Sequence, residues 1–346
     1  MKWKYVKIGL LVLLALVVIV PAYQYYGSID WAKKRTAKIE ALPVLSEADD
    51  TGLFRIPIGE FTFFARVSGL QNEGPGLVLL HGFPESSIAW DAMLEKASAE
   101  GYRVIAFDQR GYSPGARPEE LEDYHIDKLT DDVLAIADKL GFDKFHLAGH
   151  DWGSAVGWNL SMNHPERLYS WSALSIPHIG VFFDAVLNHP EQEKRSSYIH
   201  RLRLPILPEY MFLAGGQKRV REGMAKIPSK CLEDYLEIQA ERGAVTAMLN
   251  WYRALELDEV GVNYSFQKTV KVPTLYIWGT EDGVVAPEII PEQEKWIEAP
   301  YQEVALETGH SLMQFEEEAV ISAILSHLKR NSISESLENG PENELE

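Results

Sequence analysis

The sequence predicts an α/β fold: a mostly parallel sheet flanked by helices, interrupted late in the chain by a helical insertion. Three observations carry this. Short, mainly apolar runs at 77–80, 104–107 and 145–148 alternate with segments whose apolar residues repeat at helical spacing, the rhythm of buried parallel strands and their crossover helices. That rhythm stops between Pro177 and about Val262, where helical segments, prolines and aromatic residues take over, and it resumes at 274–278 and 304–306. Before that interruption, the stretch KFHLAGHDWGSAVG at 144–157 reads as a strand, a G-x-D-x-G turn and a helix start.

The chain of 346 residues is long enough for one large domain with an insertion, and its 46% apolar and 24% charged composition is that of a globular protein. With 51 acidic against 33 basic residues the net charge is −18, which argues against nucleic acid as a partner. Cys231 is the only cysteine, so there is neither an internal disulfide nor a thiolate metal site.

Residues 8–22, IGLLVLLALVVIVPA, carry no charge. Extended to Tyr26 they would form a helix about 28 Å long, close to the hydrocarbon core of a bilayer. Trp3 and Tyr5 precede the run, and Tyr23, Tyr25, Tyr26 and Trp31 follow it, as aromatic residues do at both interfaces. We therefore expect residues 1–30 to be a single-pass N-terminal membrane anchor; a secreted chain, cleaved near Val20-Pro21-Ala22, is the alternative. Lys2, Lys4 and Lys7 before the run favour the amino terminus inside and the catalytic domain outside the cytoplasm, although Lys33, Lys34 and Arg35 lie beyond it. Residues 31–50 read as a partly helical tether without chemistry of its own.

The strand and helix pattern then assigns 51–176 and 263–330 to the sheet domain and 177–262 to a helical cap. Leu129, Val133, Ile136 and Leu140 mark one helix, and Trp90, Met93, Leu94 and Ala97 another. The last segment, 331–346, holds five glutamates and no basic residue, and it is expected to be a disordered tail. No repeat is present, and no P-loop or dinucleotide glycine pattern occurs, so no cofactor is expected.

The centre of the G-x-D-x-G turn is Asp151, where a serine would be more usual. A serine attacking an alkyl carbon would form an ether that water cannot readily cleave, whereas an aspartate forms an ester that water can open. Asp151 therefore points to epoxides or alkyl halides as substrates; a mere helix cap is the structural alternative. The fold then requires an acid and a histidine in that chain order. Asp282 follows the strand at 273–278, with Glu281 as its competitor, and His310 follows the strand at 304–306, both at the carboxyl ends where catalytic groups gather. His310 would activate water and Asp282 would fix its tautomer. The backbone N–H groups of Trp152 and Phe83 are the expected oxyanion donors. His146 and His150, four apart at a strand end, are not expected to bind metal.

HGFPESS at 81–87, DQRGYS at 108–113, GHDWGS at 149–154 and LNWYR at 249–253 together resemble the signatures of the epoxide hydrolases of the α/β-hydrolase fold, over residues 53–330. The leader is similar to that of the membrane-anchored members. The resemblance implies two cap tyrosines that hold the epoxide oxygen: Tyr252 matches the family's N-W-Y-R motif, and Tyr198, seven residues before Pro205, matches the second; Tyr210 and Tyr235 are alternatives that could equally pack. Haloalkane dehalogenases share DWGSA but usually carry asparagine where Phe83 stands, so a dehalogenase with the same nucleophile is the runner-up. A membrane-tethered binding module that has lost catalysis is the third reading. A lipophilic epoxide is the substrate class that the leader and the aromatic cap suggest.

Overall fold

The computed structural model describes residues 34–255 and 266–338. Eight strands form one sheet: β1 (Gly52–Ile58), β2 (Phe61–Ser68), β3 (Gly76–Leu80), β4 (Arg103–Phe107), β5 (Phe145–His150), β6 (Leu168–Leu174), β7 (Thr274–Gly279) and β8 (Tyr301–Leu306). Their spatial order is β1-β2-β4-β3-β5-β6-β7-β8. β2 runs antiparallel to β1 and β4, and the other pairings are parallel.

The inner strands β3 and β4 are mainly apolar because both of their faces are covered. In β3, Val78 and Leu80 join one core cluster while Leu77 and Leu79 join the other, and in β4 Ile105 and Phe107 part from Val104 and Ala106 in the same way. In chain order the helices are α1 (Lys34–Glu40), α2 (Asp91–Ala99), α3 (Ile126–Lys139), α4 (Trp152–Asn163), α5 (Ile179–Asn188), α6 (Pro190–Arg195), α7 (Ser197–Leu202), α8 (Leu207–Gly223), α9 (Ser229–Gln239), α10 (Ala244–Arg253), α11 (Leu312–Phe315) and α12 (Glu317–Glu338). Leu129, Val133 and Ile136 of α3 and Val156, Trp158 and Leu160 of α4 cover one face. Met93, Leu94 and Ala97 of α2 and Val320, Ile324 and Leu328 of α12 cover the other. The inserted helices α5 to α10 stand between β6 and β7, and α8 is broken at 214–217 by non-helical backbone.

Two segments differ from the sequence reading. α12 continues to Glu338, into the stretch expected to be a disordered tail, because it extends the helix that Leu328 anchors against the sheet. The tether is no loose linker. Leu45 is buried in the main core, the Leu45 N–H donates to the Arg55 carbonyl and the Arg55 N–H to the Pro43 carbonyl, so residues 43–45 are stitched to the β1 edge, and Arg35 of α1 is buried against Asp108. Among the described residues no helix is long and apolar enough to cross a membrane. The apolar stretch at 8–22 lies outside the described residues.

Candidate active site

The carboxyl ends of β3, β5, β6, β7 and β8 open toward the inserted helices, and five loops there carry the polar groups of the site. At the first, β5 passes into α4 through Asp151, held at φ 51° and ψ −116°. This conformation is costly for a side chain other than glycine, and the surroundings impose it. A Cβ on Gly149 would run into the Gly153 carbonyl, and one on Gly153 into that of Leu80. Only glycine lets the turn close this tightly.

The Phe83 N–H donates to Asp151 Oδ1 at 2.8 Å. The other oxygen, Oδ2, lies 3.3 Å from His310 Nε2, and His310 Nδ1 lies 2.9 Å from Asp282 Oδ2. Asp282 Oδ1 in turn accepts from the Val284 N–H at 2.6 Å. Burial alone would favour a neutral imidazole, but the charges of Asp282 and Asp151 outweigh it and hold the His310 pKa well above the ordinary histidine value. Burial acts to raise the Asp282 pKa, and the His310 charge with its hydrogen bond overrides it, so Asp282 stays below the usual carboxylate range. Glu281, the competing acid, is exposed to solvent.

Tyr198 of α7 and Tyr252 of α10 face Asp151 across a small apolar cavity, otherwise lined by Trp152, Ile179, Phe182 and Phe183 among others. The Tyr198 and Tyr252 rings meet edge to face, 6.2 Å apart between centroids. The Tyr252 ring is held edge-on by Phe83 at 5.0 Å and Trp152 at 5.1 Å between centroids. Burial, reinforced by neighbouring charge, raises both phenol pKa values, so both rings keep their protons at neutral pH. Tyr210 lies partly exposed on α8, and Tyr235 is bonded to Gln314, both apart from this cavity. His146 bonds Ser170, and His150 bonds Glu85.

Several groups of the site carry no signature that spacing reveals. Ser175, at the end of β6 with φ 69°, donates to Asp282 Oδ2 at 2.8 Å and sits 2.8 Å from His310 Nδ1, bracing the pair. Beneath His310, the buried His150 places Nδ1 3.0 Å from Glu85 Oε2 and Nε2 2.8 Å from the His310 carbonyl. Both partners only accept, so both nitrogens carry protons and His150 is an imidazolium. Burial opposes this charge, and Glu85 more than offsets the opposition. Glu85 lies inside HGFPESS and His150 immediately before Asp151, which was the available signal. Gln192 of α6 clamps the Asp282 loop to the inserted helices. Its amide donates to the Val284 carbonyl and accepts from the Ala286 N–H, each at 2.8 Å, and it also donates to Ser196 Oγ.

An acid, a histidine and a second acid at the ends of β5, β8 and β7, with a helical insertion after β6, define a hydrolase of one known architecture. Residues 75–317 match the model of the alpha/beta hydrolase fold, and the chain belongs to that family. Epoxide hydrolase 3 of Xenopus tropicalis is 30% identical over 280 residues, covering 78% of this chain and 75% of its own. Epoxide hydrolase 4 of Mus musculus is 30% identical over 281 residues, covering 78% and 77%. An AB hydrolase superfamily protein of Bacillus subtilis is 34% identical over 265 residues, covering 75% and 92%. Among solved structures, an epoxide hydrolase from hot-environment metagenomes superposes with a TM-score of 0.70 at 27% identity, covering 81% of this chain and 99% of its own.

Proposed function

We infer that this protein is an epoxide hydrolase that turns an epoxide into a vicinal diol through an ester on Asp151. The observation that carries this reading is the apolar cavity in which one carboxylate faces two protonated phenols. Asp151 Oδ2 attacks an epoxide carbon, the C–O bond breaks, and the departing oxygen takes a proton from Tyr198 or Tyr252. The phenolate recovers its proton from solvent. Oδ1, already held by the Phe83 N–H, becomes the ester carbonyl oxygen.

Ring opening also prepares the second step. In the resting site the Asp151 charge helps keep His310 protonated. Esterification removes that charge, so the imidazole gives up its proton more readily and can accept one from water. Hydroxide adds to the Asp151 carbonyl carbon, and the Phe83 and Trp152 N–H groups hold the resulting oxyanion. Collapse expels the diol alkoxide, which takes the proton from His310, while Asp282 steadies the imidazolium throughout. No cofactor or metal takes part in this scheme.

Tyr198→Phe and Tyr252→Phe should each lower kcat/KM for an epoxide by about 10- to 100-fold, and the double change by about 10³-fold or more, since general-acid assistance is worth roughly 10²–10⁴. A double variant with wild-type rates would remove the phenols from the mechanism. Halide release from a panel of alkyl halides, measured on the same preparations, tests the dehalogenase reading. That reading is disfavoured by Phe83, whose ring packs edge-on to Phe212 and Tyr252 and offers no amide to a halide.

The helices α5 to α10 form the cap, and the apolar lining supports a lipophilic epoxide as substrate. The uncharged run at 8–22 with its flanking aromatic residues supports an uncleaved single-pass anchor, with the catalytic domain outside the cytoplasm. Full-chain protein should then stay with membranes through an alkaline wash and expose its catalytic domain to protease only from the non-cytoplasmic side. Release by the wash would overturn the anchor.

A further inference from the structure

The segment before β1 reaches the active site. Arg35 is 4% exposed, and its guanidinium pairs with Asp108, which is 0% exposed. Asp108 stands at the carboxyl end of β4 and divides its oxygens. Oδ2 takes Arg35, while Oδ1 accepts from both the N–H and the Oγ of Ser87, at 2.9 Å and 2.6 Å. Ser87 ends the loop at 81–87, whose Phe83 N–H holds Asp151. A hydrogen bond from the Glu85 N–H to the Gly82 carbonyl at 3.0 Å closes the turn that carries Phe83, a turn ending two residues before Ser87.

Among the described residues no other cation neutralises Asp108 in the same way. His81 accepts the Gln109 N–H on Nε2 at 3.1 Å, so that nitrogen carries no proton and the ring is neutral. Arg66 donates to Ser87 Oγ at 3.2 Å, but its guanidinium leans toward Asp91 and Asp234 at 3.5 Å and 3.6 Å. Arg35 is further placed by the Phe64 ring 5.4 Å from its guanidinium carbon, and Thr36 next to it donates to Glu241 at 2.5 Å. The match to the hydrolase fold begins at residue 75, so this counter-ion comes from outside the matched region.

We propose that Arg35 is a positioning residue, which, through Asp108 and Ser87, sets the place of the Phe83 N–H against Asp151. The proposal rests on the reading of Asp151 as nucleophile. Without Arg35, Asp108 is a buried carboxylate with no counter-charge, and it must take up a proton or draw in water. Either response changes how Asp108 Oδ1 holds Ser87, and with it the donor on Asp151. Ring opening should slow while substrate affinity changes little.

The test is rapid-quench measurement of ester formation on full-chain protein at saturating epoxide, for wild type, Arg35→Met, Asp108→Asn and the double variant. Arg35→Met should form the ester about 10- to 100-fold more slowly, the scale on which a misplaced donor acts, with KM within about threefold of wild type. Asp108→Asn alone leaves the buried Arg35 guanidinium with only the longer contact to Glu241, 3.9 Å away, and should also be slow. The double variant keeps an acceptor for Ser87 and no unpaired charge, and should return to within about threefold of wild type. Folded Arg35→Met reacting at the wild-type rate overturns the proposal, as does a double variant no faster than Asp108→Asn. The second comparison decides alone if Arg35→Met does not fold. A wild type that forms neither ester nor diol from any epoxide would instead overturn the role of Asp151.

Discussion

Asp151→Asn is expected to abolish steady diol formation, by at least about 10⁴-fold, from every epoxide the wild type consumes, because loss of a nucleophile leaves only binding and oxyanion contributions. The amide keeps the size and the strained turn of the residue, and its oxygen can still accept the Phe83 N–H. What it loses is the anionic Oδ2 beside His310. Folding should therefore survive, and a near-wild-type melting temperature with no turnover is the combined outcome to look for. Normal diol formation by this variant would mean that water attacks the epoxide directly and that Asp151 only shapes the site.

His310→Gln separates the two steps. Glutamine preserves a polar side chain near Asp151 but cannot take a proton from water, so ring opening should proceed once per active site and then stop. The phenols, which serve the first step, and the Phe83 N–H, which holds Asp151 in both, are untouched by this change. Steady turnover should fall by about 10³- to 10⁴-fold, the upper range for loss of a general base. An initial burst of epoxide consumption, equal to the enzyme present, should remain. Asp282 and Ser175, which meet His310 at 2.9 Å and 2.8 Å, would lose their partner but stay tied to each other. The alternative pattern, a proportional loss of burst and turnover, would place His310 in ring opening.

The sheet and the triad geometry were readable in the sequence because each rests on local pattern. A strand buried on both faces must be apolar throughout, and Gly149 and Gly153 mark a turn that no bulkier residue could make. Asp282 and His310 follow from chain order, since each ends a late strand. The two phenols are a different case: nothing in spacing separates Tyr198 and Tyr252 from Tyr210 and Tyr235, and only the similarity of motifs pointed to them. The groups that sequence reasoning missed are paired across the chain. Arg35 meets Asp108 across 73 positions, Gln192 meets Val284 across 92, and Glu85 meets His150 across 65. A polar segment such as the one holding Arg35 has the composition of a linker until its partner is placed beside it. The first part of the acidic tail was misread for a related reason, because composition registers charge but not a helix already begun upstream.

These long-range pairs also explain how a carboxylate can be kept reactive in an apolar pocket. Each loop that carries a group of the site is fastened at a second point: the Phe83 loop by Asp108 and Glu85, the His310 loop by His150, and the Asp282 loop by Gln192. In the proposed mechanism the donors and the base would thus be in place before substrate arrives, which is the condition under which fixed dipoles lower a barrier most.

The mass of intact His310→Gln protein after exposure to an epoxide that the wild type hydrolyses tests the central claim most directly. A gain equal to the mass of one epoxide is expected, carried on the peptide that contains Asp151 and lost when the ester is cleaved by alkali. Unmodified protein, under conditions where the wild type makes diol, would contradict it.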